Sequence, residues 1–279
     1  IRKPVLFHLA MVGAFDCWGK DPRSTLWDIL DFHLEKYNYE VNLPPIVVQT
    51  IGGIRVVRDD LLPGGSKRRF AYSYMLAYPE VEQWIYASPR QGYGQVALAY
   101  ACRDLGKKAI VYVPQGQRTE LTLEAEMVGA EINEVPMGYL TNLTKKAKDR
   151  QGNGWDNIKL IPFGFDDPII LNTIAETAKR LPFTPKEVWS VMSSGTLSRG
   201  LQLAWPDAKV YGVQIGHNTT TPQQGRAISI PKRMPFHKDC KLEDRPPFPS
   251  SLTYDSKGWK HLMEMGTISE DTLFWNVGK

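Results

Sequence analysis

With 279 residues the chain exceeds the usual single-domain size, so it admits one large domain or two lobes around a cleft. Hydrophobic residues at 42% and charged residues at 23% exclude a fibrous or low-complexity protein, and 23 Gly with 20 Pro indicate many loops rather than disorder. A formal net charge of +4 tolerates anionic partners but does not by itself establish nucleic-acid binding.

Residues Pro4 to Phe15 form an apolar run behind Arg2 and Lys3. His8 interrupts the run and no cleavage site follows, so a buried helix or strand is expected there rather than a signal peptide. No stretch approaches the length that spans a bilayer, which gives the expectation of a cytoplasmic protein without a membrane partner. Cys17, Cys102 and Cys240 are odd in number and scattered, a pattern of reduced thiols rather than of a disulfide framework or a zinc site.

The run from Asp59 to Arg69 holds Pro63-Gly64-Gly65-Ser66-Lys67. Gly64 and Gly65 permit tight backbone paths close to a ligand. Lys67, placed among Arg58, Arg68 and Arg69, is expected to lose its proton more readily than a free lysine and so to offer an amine that attacks an aldehyde. Taken alone, the same run reads as a Pro-Gly-Gly surface turn followed by solvated cations.

From about residue 84 short β-rich runs alternate with amphipathic stretches, the pattern of a parallel sheet covered on both faces. Strands are expected at Trp84 to Ala87, Ala109 to Val113 and Ile132 to Val135, with helices at Gln95 to Leu105 and Thr119 to Val128. Residues 71–150 then make a small α/β domain, with 1–70 and 151–279 forming a large one. A second series runs through Lys159 to Phe163, a helix at Ile169 to Arg180, a strand at Glu187 to Met192 and another at Lys209 to Ile215. The segment from His217 to Ser250 is rich in Pro and is expected to be mostly loop.

Ser193-Ser194-Gly195-Thr196 follows a strand and leads into a helix, where successive backbone N–H groups and hydroxyls can hold a phosphate. A plain strand-to-helix turn with a Ser or Thr cap is the competing reading. The loop Ser88-Pro89-Arg90-Gln91-Gly92 also follows a strand, and its amides and Arg90 suit a carboxylate, or alternatively form a Gly-rich connection with Arg90 in solvent. Tyr254-Asp255 precedes a helix expected from Gly258 to Met265; Asp255 either faces a pyridine nitrogen, keeping it protonated, or caps the helix. His8, His33, His217, His237 and His261 show no metal-ligand spacing.

In order, these loops resemble the fold-type II pyridoxal-phosphate (PLP) enzymes, above all the branch of 1-aminocyclopropane-1-carboxylate deaminase and D-cysteine desulfhydrase. That branch carries R-E-D-L-L-P-G-G-N-K before its Schiff-base lysine, and residues 58–67 read R-D-D-L-L-P-G-G-S-K, which places the lysine at Lys67. The family's Ser-Gly-Gly-Thr phosphate loop is matched by Ser193, Ser194, Gly195 and Thr196, and its Tyr-Glu-Gly-Lys segment by Tyr254-Asp255-Ser256-Lys257. Ile161-Pro162-Phe163-Gly164 resembles the turn before the family's long helix. The resemblance implies a two-lobed α/β fold with parallel-rich sheets flanked by helices, PLP as cofactor, and a homodimer. It departs at the Ser-Asn-His loop, replaced here by Ser88, Pro89, Arg90, Gln91 and Gly92, so substrate recognition is expected to differ, with Gln91 reaching the cofactor's phenolic oxygen.

The expected activity is a PLP-dependent lyase acting at the α-carbon of a small amino substrate. Lys67, Tyr254 and Asp255 carry the chemistry, and Ser88, Arg90, Gln91 and Gly92 hold the substrate. Deamination, β-elimination and decarboxylation all stay open. A second reading attaches the amino acid to a nucleotide or a modified DNA base, motivated by the altered loop and by Arg226, Lys232, Arg233, Lys238, Lys241 and Arg245 in the Pro-rich segment. A third is a cofactor-binding protein without turnover.

Overall fold

The computed structural model describes residues 43–136, 138–152, 157–216, 218–231 and 235–279. The apolar run at 4–15, Cys17, His8, His33, His217, Lys232 and Arg233 lie outside the described residues.

Two sheets organise the chain. In the larger, β1 (Val48–Ile51) and β2 (Ile54–Arg58) form an antiparallel hairpin whose two loop residues, Gly52 and Gly53, take φ of 59° and 82°. Paired positive φ values match the twist of the strands they join, which is why a Gly-Gly pair sits there. The remaining strands, β7 (Glu187–Met192), β8 (Lys209–Gln214), β9 (Ile228–Ile230) and β10 (Thr272–Asn276), complete the six-stranded order β1-β2-β10-β7-β8-β9 with parallel pairing. The smaller, all-parallel sheet has the order β5-β4-β3-β6, from β3 (Gln83–Ala87), β4 (Lys108–Pro114), β5 (Glu131–Val135) and β6 (Ile158–Leu160). Its strands run from residue 83 to 160, so β6 joins this sheet although it lies beyond position 150. Pro162 supplies no N–H and ends β6 early.

Helices α1 (Gly65–Leu76), α2 (Gly94–Asp104), α3 (Glu120–Met127), α4 (Leu140–Gln151), α5 (Pro168–Lys179), α6 (Thr196–Ala204), α7 (Thr221–Gln224) and α8 (Asp255–Met265) make the crossovers and cover the sheets. Local sequence fixes their starts: Thr119 accepts from the Thr122 N–H at 3.3 Å, and Asp167 accepts from the Ile169 N–H at 2.9 Å with Pro168 at the first helical position. Val57, Phe70, Tyr74, Trp84, Leu98, Val188, Leu273 and Trp275 belong to one buried cluster that joins the two sheets through α1, α2 and α5. Trp189, Phe248, Trp259 and Phe274 form a second cluster under α8.

In each sheet a strand is flanked by neighbours reached in opposite directions: β3 lies between β4 and β6, and β7 between β8 and β10. Such reversals open a crevice at the carboxyl ends of the strands. The loops after β3, β7 and β10 are the ones that meet there.

Candidate active site

Lys67 stands in the first turn of α1, and its approach is set by backbone rather than by side chains. Gly64 and Gly65 take φ of 85° and 62°, and a Cβ on Gly65 would fall 2.1 Å from the Val277 carbonyl oxygen. The chain therefore passes flush against the end of β10, where the Ser66 N–H donates to Val277 O at 3.0 Å. Beneath it, Ser66 Oγ donates to Asp59 Oδ2 at 2.6 Å and accepts from Trp275 Nε1 at 2.9 Å.

The neighbouring arginines do not act on Lys67 as like charges. Arg58 forks onto Asp60 with two 2.8 Å bonds, Arg69 reaches Asp59 at 2.9 Å, and Arg68 pairs with Asp104 at 2.7 Å. Neutralised in this way, they build the floor. Burial is what lowers the pKa of the Lys67 amine, opposed by the charge of Asp255.

The second wall is the 193–196 turn. Gly195 takes φ of 77°, and a Cβ there would come within 1.9 Å of Gln223 O, so only glycine lets the turn close against α7. Ser194 Oγ lies 2.9 Å from Thr196 Oγ1 and 3.3 Å from Gly164 O, while a Cβ on Gly164 would meet the Ser194 side chain at 2.2 Å. The result is a tight cup at the N-terminus of α6, where the helix dipole and free amides favour an anion. Gly195→Ala is expected to cost about 1–2 kcal/mol from the left-handed backbone alone, before the clash with Gln223, and to weaken binding of the phosphorylated cofactor at least tenfold. Titration of cofactor into the protein measures it; unchanged affinity would take the phosphate away from this turn.

Asp255 opens α8 fully buried. Its Oδ2 accepts from the Val277 N–H at 3.2 Å, whereas Oδ1 has no hydrogen-bond partner. Burial pushes the carboxyl up to about 8, against backbone donation from Val277 and the charge of Lys67. A buried carboxylate oxygen without a donor is costly, and the N–H of a protonated ring nitrogen would satisfy it. Together with the glycine-made cup and a buried amine, this oxygen fits PLP by chemical type, with the aldehyde to Lys67, the phosphate to 193–196 and the ring nitrogen toward Asp255, although Asp255 itself lines neither the cavity nor the recess and only its neighbour Tyr254 does. Tyr254 lines the cavity, and its hydroxyl donates to Val191 O at 3.1 Å; burial raises its pKa.

Lys67, Ser193, Ser194 and Tyr254 share the wall of a cavity of about 750 Å³, within the usual range of small-molecule sites. Gln91 and Gly92 line it as well, while Gly195 and Thr196 line the adjoining recess. Ser88 and Arg90 do not line it. Ser88 is fully buried and donates to Pro89 O at 3.0 Å; Arg90 donates to the Gln115 and Gln117 carbonyls at 2.9 and 2.7 Å, and a Cβ on Gly116 would obstruct it at 2.7 Å. Neither side chain is therefore placed to take a substrate carboxylate.

Residues not singled out from sequence complete the wall. Tyr86, at the end of β3, stacks on Phe165 at 5.1 Å and accepts from the Gly164 N–H at 3.3 Å. Tyr93, Phe163, Phe236, Val277 and Gly278 line the rest. The signal for Tyr86 was present: an aromatic residue closing a strand that precedes a Gly-rich loop.

No family model matches the chain. Its fold is that of the fold-type II PLP enzymes. An ACC deaminase homologue superposes with a TM-score of 0.73 over 89% of this chain and 94% of that one, at 16% identity. The T.th. threonine deaminase superposes with 0.65 over 90% and 97%, at 19% identity. In sequence the chain is similar to the glycyl-dTMP PLP-dependent decarboxylase of Pseudomonas phage M6, 26% identical over 277 residues that span 86% of this chain and 99% of the relative.

Proposed function

We propose that the chain is a PLP-dependent lyase that removes the carboxylate of an amino acid carried on a nucleotide. The observation that carries the choice of bond is that, among the described residues, no arginine reaches the cavity to clamp the substrate carboxylate, which leaves the amides of the 89–92 loop and Lys279 to meet it. Among the described residues lining the cavity, the only cationic side chains are Lys67 and Lys279, and Arg90 is tied to backbone carbonyls outside it. A guanidinium on the α-carboxylate would stabilise the ground state more than a transition state in which that charge is leaving, so a decarboxylase gains by its absence. The end-to-end similarity to a glycyl-dTMP decarboxylase supports the substrate class, and a cavity of about 750 Å³ accommodates more than a free amino acid beside the cofactor.

When bound, PLP supplies the electron sink that accepts the pair left at the α-carbon. Lys67 would hold the aldehyde carbon until the substrate's amine takes its place, and the lysine so released, having taken up a proton from the substrate's ammonium, would deliver it to the α-carbon at the position that carbon dioxide leaves. Ser193, Ser194, Gly195 and Thr196 would hold the phosphate, and Asp255 would keep the ring nitrogen protonated. Tyr254, its proton engaged by Val191 O, orients the ring. Gln91 offers a neutral amide to the substrate. The test is incubation of the cofactor-loaded protein with thymidine monophosphate carrying glycine through its α-carbon, amine and carboxylate both free, and, in parallel, with free amino acids. Carbon dioxide and a primary amine on the nucleotide are expected. Release of ammonia, or turnover of free amino acids alone, would overturn the assignment.

A further inference from the structure

We propose that Tyr139 and the exposed face of α4 form a docking surface for a DNA strand whose reacting nucleotide enters the cavity; this rests on the nucleotide-linked reading above. Leu140, the first residue of α4, lines the cavity, and Tyr139 just before it is 72% exposed. An aromatic ring left in solvent at the mouth of a site is a platform on which a base stacks, whatever its identity.

Helix α4 turns Leu143 and Ala147 onto the four-stranded sheet, against a buried cluster with Ile85, Ala87, Ile110 and Val135. Lys145, Lys146 and Lys148 flank or oppose this buried stripe and are exposed, with Asp149 as the acid beside them, while Arg150 continues the Leu143–Ala147 stripe and its charge acts on Glu131. None of these three lysines forms an ion pair among the described residues, whereas Arg118 is paired with Glu126 and Glu134, Lys186 with Asp271, and Lys260 with Asp244. Twelve residues of helix extend about 18 Å, the rise of roughly five stacked nucleotides. On the same cavity α3 presents Glu120, which lines it, and Glu124, whereas Glu126 is paired with Arg118. Phosphates are thus repelled from α3 and drawn along α4.

Three of the basic residues in the Pro-rich segment are engaged within the fold. Arg226 donates to the Ala208, Gln202 and Trp205 carbonyls, Arg245 to Cys240 O, and Lys241 pairs with Glu243. Their charge caps backbone or meets a carboxylate instead of facing a ligand.

The experiment is binding of a fluorescent thymine-containing oligodeoxynucleotide to the cofactor-loaded protein at several salt concentrations, with cofactor uptake followed by visible absorbance as the check on folding. Changing Lys145, Lys146 and Lys148 together to Ala is expected to weaken binding at least tenfold and to flatten the log–log salt dependence by about 2 to 3. Tyr139→Ala is expected to weaken it about tenfold at any salt concentration. Removing Lys186 and Lys209, at the opposite ends of β7 and β8 from the cavity, should change neither. Wild-type protein that ignores the oligonucleotide, or α4 variants that bind it with an unchanged salt slope, would overturn the docking surface. A protein that decarboxylates glycine-linked thymidine monophosphate yet fails these tests keeps the proposed reaction and loses only the DNA contact.

Discussion

Lys67→Ala is expected to eliminate the visible absorption of lysine-bound cofactor and to lower carbon dioxide release by more than about 10³-fold, toward the upper end of what a positioned acid–base group contributes. The loss should come without unfolding. The backbone at this point is fixed by Ser66 N–H to Val277 O, by Ser66 Oγ to Asp59 and by Trp275 Nε1 to Ser66 Oγ, none of which involves the Lys67 side chain. Removing the amine also relieves the desolvation that lowers its pKa, so thermal stability of the cofactor-free protein should hold or rise. Phosphate at the 193–196 cup is untouched by the change. The variant is therefore expected to retain non-covalent affinity for the cofactor, measurable by equilibrium dialysis, while losing the covalent linkage. Full turnover in the Ala variant would remove Lys67 from the mechanism; loss of turnover with loss of fold, seen by circular dichroism, would assign it a structural part instead.

Much of this arrangement is legible from local sequence because the responsible physics is local. Trp84 to Ala87 is buried on both faces and reads as a continuous apolar run, and Glu187 to Met192, equally buried, reads as one broken only by Ser190 after its first residue. The 193–196 turn announces itself through small and hydroxylated residues between a strand and a helix. Other parts depend on pairings that no local window contains. β10, a strand in the middle of the larger sheet, is reached only after the chain has built everything else, and the sequence reading passes over it as well as the β1–β2 hairpin. With β10 go Trp275, Asn276 and Val277, which hold Ser66, Asp60 and Asp255 in place. The arginines around Lys67 illustrate the same limit. Sequence displays their charges side by side, but whether they act on the lysine depends on carboxylates such as Asp104, brought in by a different helix. Arg90 fails to point inward for a comparable reason: the carbonyls that bind it belong to the loop after β4.

Asp255→Asn should separate the electrostatics of the site from its shape. The wild-type carboxyl has a folded-state pKa raised from 3.8 to about 8 by burial, so between these values the folded protein keeps a proton that the unfolded chain has released. The stability this proton contributes is complete below about pH 4 and is lost as pH rises toward 8. Lys67, its pKa lowered, contributes in the opposite sense, stability being gained as pH rises from its depressed value to the ordinary 10.5. The melting temperature of the cofactor-free wild type relative to that of the Asn variant, which has no proton to lose, is thus expected to fall between about pH 4 and about pH 8. Bound cofactor alters the balance, because a protonated ring nitrogen supplies the partner that Oδ1 lacks. Asparagine can still hydrogen-bond that nitrogen but provides no charge to keep it protonated. Turnover should therefore drop about 10²–10³-fold, the scale for losing one preorganised electrostatic partner, while phosphate-dependent affinity changes little. If the pH profile of stability were the same in both proteins, the raised pKa would belong to another group; if turnover survived intact, Asp255 would not face the ring.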